Sequence, residues 1–96
     1  MHELKLVSKS KHQLKPIVEA ALKNELRLIE TGIRQTEQRL RKFEEKYQRK
    51  TREFISSYEN DELEETMDFA EWIGESRLLQ RLCEKADTLR DIKFAS

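Results

Sequence analysis

Between Leu22 and Tyr47 the side chains Leu22, Leu26, Ile29, Ile33, Leu40, Phe43 and Tyr47 recur in steps of four and three, with Thr36 holding the one missing position. That spacing is a heptad seam. It predicts one uninterrupted helix over 16–47, opened by Pro16, whose missing N–H costs nothing in a first turn. Such a helix is about 48 Å long at the usual rise per residue. No single small core surrounds an element of that length, so it has to lie along a second long helix. Gly32, beside the seam residue Ile33, costs about 1 kcal/mol relative to Ala. It either permits close approach of the partner helix or is simply tolerated.

The second long helix is expected over about 62–92. Its apolar stripe runs Phe69, Trp72, Ile73, Leu79, Leu82, Cys83, Ala86 and Leu89, with Ser76 in one stripe position. Asp68 and Glu71 have capping-box spacing, with Asp in place of Ser or Thr. Glu62, Glu64, Glu65 and Asp68 suit the positive end of a helix dipole. Adjacent apolar pairs such as Trp72/Ile73 and Leu82/Cys83 widen the stripe beyond a two-helix seam. A wider stripe touches more than one neighbour, which favours a four-helix arrangement built from two hairpins. Between the long helices, Thr51 is placed to cap a short helix over 51–58. Phe54 and Tyr58, four residues apart, share a face that can plug the end of the hairpin. Glu59, Asn60 and Asp61 read as a turn.

The expectation is therefore an all-α chain. A basic N-terminal arm over 1–15 precedes a single helical hairpin over 16–96, which pairs with a second copy into a four-helix-bundle-like assembly. The hairpin or dimer core is assigned to Leu26, Ile29, Ile33, Leu40, Phe43, Phe69, Trp72, Leu79, Leu82 and Leu89. Composition agrees with helices, since 96 residues hold only two Gly and one Pro. A chain this short buries a modest core, and association is the common remedy. The apolar runs are too short for a membrane span. The N-terminus lacks the apolar core of a signal peptide, so a cytoplasmic location is expected.

Net charge is zero, yet the halves differ. Residues 1–52 carry 14 Lys/Arg against 7 Asp/Glu, whereas residues 53–96 carry 5 against 12. Between Glu53 and Glu75 lie nine acids and no base. An antiparallel hairpin neutralises such halves against each other; the alternative is that the asymmetry steers a partner. The basic cluster Arg39, Arg41, Lys42, Lys46, Arg49, Lys50 and Arg52 can touch phosphates without reading bases. Interleaved Glu37, Glu44 and Glu45 weaken that nucleic-acid reading.

Catalytic chemistry finds little footing. His2 and His12 sit outside any ligand spacing, and a single cysteine, Cys83, excludes a thiolate cluster within one chain. Cys83 is expected to be a small core residue. Glu62/Glu65 and Glu84/Asp87 mimic the paired carboxylates of helical nucleotide pyrophosphohydrolases. On one continuous helix Glu65 and Glu84 would stand roughly 28 Å apart, too far to share an ion. No cofactor or metal is expected, and the chain is read as a non-enzyme.

The segment from Phe43 onward resembles a family of small helical proteins common in archaea and cyanobacteria. The resemblance rests on Phe43, Lys46 and Tyr47, then Phe54, Glu62 and Leu63, then Asp68, Phe69, Glu71 and Trp72. Glu25, Leu28, Glu30, Arg39 and Leu40 extend it backwards. Two positions depart from the pattern, where Gln48 and Glu64 stand in place of frequent glycines. Many such proteins are encoded beside a small toxin-like protein. The resemblance thus implies an antitoxin-like, non-enzymatic module that masks a partner. The acidic stretch suits a small basic partner, with Glu62, Glu65 and Asp68 as the contact residues.

Overall fold

The computed structural model describes residues 2–4 and 11–94, with side chains for 14–92. Helix α1 spans Lys11–Tyr47, α2 spans Thr51–Glu59 and α3 spans Met67–Arg90. Strands β1 (His2–Leu4) and β2 (Ile92–Phe94) pair in parallel, with His2 opposite Ile92 and Leu4 opposite Phe94. The fold is a hairpin of two long antiparallel helices with the short α2 at its closed end. Its extents are 59 × 22 × 17 Å, a single layer of helices.

α1 begins before Pro16. Leu14 and Val18 are half-buried and extend the stripe backwards from Leu22 in steps of four. The helix therefore starts more than a turn before the proline, which sits inside it and leaves one carbonyl without its usual donor. The expected arm over 1–15 is thus shorter: its last residues belong to α1 and His2–Leu4 are strand. Residues 5–10 lie outside the described residues.

The closed end holds the main core. Leu40, Phe54, Trp72 and Ile73 are buried, and Phe43, Tyr47, Ile55, Leu63, Phe69 and Leu79 pack against them. Trp72 stacks on Phe54 with ring centroids 3.9 Å apart, and Phe43 and Tyr47 lie against the same indole at 5.6 and 5.7 Å. Its Nε1–H donates to Thr51 Oγ1 at 3.0 Å. Towards the open end burial thins to Ile29, Thr36 and Ala86. Thr36 fits its apolar position because its hydroxyl donates to the Gly32 carbonyl at 2.8 Å and accepts from Arg39 at 3.2 Å. At Gly32 an added Cβ would stand 3.4 Å from a Leu82 methyl, so this glycine marks close approach of the two helices.

Helix ends differ from the sequence expectation in three places. α3 starts at Met67 rather than near 62, capped by Thr66, whose hydroxyl accepts from the Phe69 N–H, and not by Asp68. α2 starts after Lys50, and Thr51 does not cap it. The Thr51 N–H donates to Glu44 Oε2 at 2.7 Å while its hydroxyl serves Trp72. Tyr58 does not plug the hairpin; it is exposed, and Ser57 with Phe54 forms the inward face of α2.

Both tight connections turn on a left-handed residue. Gln48 has φ 51° and Asp61 has φ 59°. Beyond each, an N–H reaches back five residues to close the helix end: Arg49 to the Glu44 carbonyl at 3.1 Å, and Glu62 to the Ser57 carbonyl at 3.0 Å. A β-carbon in that conformation costs about 1 kcal/mol, and glycine is its usual occupant. Gln48→Gly is expected to stabilise the hairpin by about 1 kcal/mol. Urea unfolding followed by circular dichroism checks this, and a destabilised variant would show that the Gln48 side chain contributes more than its backbone strain costs.

Candidate interaction surface

The hairpin neutralises much of its own charge. Arg39 Nε meets Glu75 at 2.8 Å, Lys46 meets Asp68 at 2.5 Å, Arg90 meets Glu30 at 3.0 Å and Lys85 meets Glu25 at 3.8 Å. At the closed end α1 supplies the base; at the open end α3 does. These pairs are solvent-facing, so each contributes at most about 1 kcal/mol.

Asp68 has the richest surroundings of the three proposed contact acids. Its carboxylate accepts from Lys46 Nζ and from the Tyr47 hydroxyl, and the side chain is half-buried. The hydrogen bonds from Lys46 and then Tyr47 hold its pKa below the ordinary carboxylate value, against a smaller opposing effect of desolvation. The same carboxylate raises the pKa of Lys46 and that of Tyr47, chiefly by hydrogen bonding. Asp68 thus braces α1 against α3 and is engaged within the chain. Glu62 and Glu65 instead stand exposed in the 60–66 turn, beside exposed Glu59, Asp61 and Glu64. The structure therefore separates residues that the sequence grouped.

The basic cluster is divided too. Arg39 and Lys46 are ion-paired, and Arg49 donates to the Ser57 hydroxyl and, at 3.4 Å, to the Glu53 carbonyl. Arg41, Arg49 and Lys50 share an open groove with Glu44, Glu45 and Glu53, so the field there is mixed.

Of the ten expected core residues, Ile29, Leu40 and Trp72 are buried, and Leu26, Ile33, Phe43, Phe69, Leu79, Leu82 and Leu89 are half-buried. Cys83 is a correction: it is exposed. The contact line on α3 runs Trp72, Glu75, Leu79, Leu82, Ala86 and Leu89 in steps of three and four, and Cys83 stands one residue off it. Among the described residues four large apolar side chains remain exposed: Ile17 at 65%, Leu28 at 60%, Tyr58 at 39% and Met67 at 79%.

Among the described residues no group of three His, Cys, Asp or Glu is placed to hold a metal ion. Glu62 and Glu65 precede α3, whereas Glu84 and Asp87 lie towards its far end. No helix among the described residues is long and apolar enough to cross a membrane. Compared with known proteins, the chain gives no significant match to a family model, to a curated protein or to a solved structure.

The depressed Asp68 pKa sets a sign for acid sensitivity. Its contribution to stability is present above the unfolded carboxylate value and is lost as pH falls through the lower, folded value. Thermal melts between about pH 6 and about pH 3 should therefore fall more steeply for the wild type than for Asp68→Asn. Parallel slopes would show that other carboxylates govern the acid transition.

Proposed function

We propose that this protein is a non-enzymatic interaction module, homodimeric and antitoxin-like, that works in the cytoplasm by masking a partner protein. The observation that carries the reading is the single-layer hairpin, which leaves Ile17, Leu28 and Met67 in solvent. Helices normally bury their apolar stripe against a second layer, and this supports a layer supplied by another chain. The exposed acids of the 60–66 turn support a basic partner, such as a small protein that itself binds phosphates. Because Asp68 is engaged by Lys46 and Tyr47, Glu62 and Glu65 are the acids available to meet it.

Nucleic-acid binding through residues 39–52 is the second reading, favoured only by Arg41, Lys42, Lys50 and Arg52, which no acid among the described residues pairs.

Copurification from the native host, followed by reconstitution from the two purified proteins, tests the first reading. One small basic protein at near-equal stoichiometry is the expected result. Joint Glu62→Gln and Glu65→Gln substitution should then weaken the complex about tenfold at low salt, with Asp68→Asn affecting it less. Unchanged affinity at low salt would remove the electrostatic contact. Recovery of nucleic acid that is released by high salt would favour the second reading.

A further inference from the structure

The two broad faces of the hairpin differ. On one face α2 covers the closed end, where Glu44 receives the Thr51 N–H and Ile73 is buried with Phe54. On the other face no residue of α2 lines the groove between α1 and α3. Leu28 stands one turn from Gly32, and Leu82 reaches Gly32 from α3, with Leu78 one turn before it. Residues four apart share a helix side, so Leu28, Leu78 and Leu82 form one apolar patch. Leu28 is 60% exposed within it.

Further along the same face, at the closed end, lies a groove between α1 and α3 lined by Lys42, Phe43, Glu71 and Gly74, with Arg39, Lys46, Asp68 and Glu75 at its edges. All four edge charges are neutralised across the groove: Arg39 by Glu75, and Lys46 by Asp68. Lys42 and Glu71 are different. Neither has an ion pair or hydrogen bond within the described residues. They lie at the same height along the hairpin, because the crossings Arg39–Glu75 and Lys46–Asp68 bracket both. An added Cβ at Gly74 would meet nothing within 4 Å, so the α3 backbone is bare there.

Resting on the homodimer reading above, we propose that a second copy of this chain seats on this face, related by a two-fold axis parallel to the helices. That rotation lays each α1 over the partner's α3, closed end on closed end. Lys42 of each copy then stands over Glu71 of the partner subunit, making two symmetric ion pairs from the two charges unpaired among the described residues of this groove. Leu28 packs among the partner's leucines on α3, and Gly74 admits the partner helix closely. A two-fold axis across the helices would instead lay α1 on α1 and bring no α3 acid over Lys42. Charge complementarity therefore selects both the occupant and its orientation. A self-complementary patch is also what an isologous dimer requires.

Sedimentation equilibrium on the full chain tests this, with circular dichroism showing that each variant keeps its helix content. The wild type is expected to be a dimer. Leu28→Asp, Lys42→Glu and Glu71→Lys should each raise the dimer dissociation constant about tenfold or more, since each charge reversal places two like-charge pairs at the interface. An equimolar mixture of Lys42→Glu and Glu71→Lys should recover dimers, because both cross-chain pairs are again opposite in sign. Recovery supports the proposed axis, since an ion pair within one chain cannot produce it. Monomeric wild type up to millimolar concentration would overturn the homodimer reading and this proposal together. A wild-type dimer that the three substitutions leave intact would keep the homodimer and overturn this face. Weakened variants that fail to recover on mixing would overturn the two-fold arrangement.

Discussion

Everything in the hairpin is referred to the indole of Trp72. It is fully buried, stacks on Phe54 of α2 and touches Phe43 and Tyr47 of α1, and its N–H is held by Thr51. Three helices thus meet on one side chain. Two long helices with heptad seams can slide past each other by a repeat and still bury apolar surface. A large planar ring with one fixed donor cannot slide, because its slot and its acceptor exist at one level only. Removing a buried aromatic of this kind costs about 3–5 kcal/mol, a large share of the stability of a domain this small.

Polar contacts then refine what the aromatic cluster fixes. Thr51 illustrates the economy: its N–H is satisfied by Glu44 and its hydroxyl by Trp72, so the start of α2 is tied to both long helices. Tyr47 does the same from α1, with its ring in the aromatic cluster and its hydroxyl on Asp68. Thr36 and Arg39 carry the pattern along the seam, linking the Gly32 carbonyl to Glu75 on α3. No buried side-chain nitrogen or oxygen among the described residues lacks a partner. A chain with so many charges reaches that state because its polar groups are paired at the edges of a narrow core.

The long helices were legible because hydrophobic spacing repeats many times, and repetition outweighs a single Pro16 or Gly32. The short α2 was legible from Phe54 and the polar residues around it. Local choices were less so. Thr66 and Asp68 can each cap a helix, and which one does depends on where Leu63 docks, a tertiary matter. Cys83 reads as buried only when the stripe is widened to the Leu82/Cys83 pair, whereas the contact keeps heptad steps through Leu82 and leaves its neighbour in solvent. Tyr58 and Ser57 were exchanged because the rotation of a nine-residue helix is set by its neighbours. On the candidate surface, Glu62, Glu65 and Asp68 are the same kind of residue in sequence. Only the crossing of α1 and α3 distinguishes the braced acid from the two exposed ones.

The uneven distribution of buried side chains along the hairpin has a mechanical consequence. Aromatic packing clasps one end, whereas the far half is held by Ile29, Ala86 and solvent-facing ion pairs and, at its tip, by the β1–β2 strand pair. Opening of packed structure requires least free energy where little apolar surface is lost. The stretch between the clasp and the strand pair is therefore where the two long helices part at least cost, and the fastenings at both ends preserve their alignment. The molecule behaves as a strap buckled at one end and stitched at the other, with its slack in between.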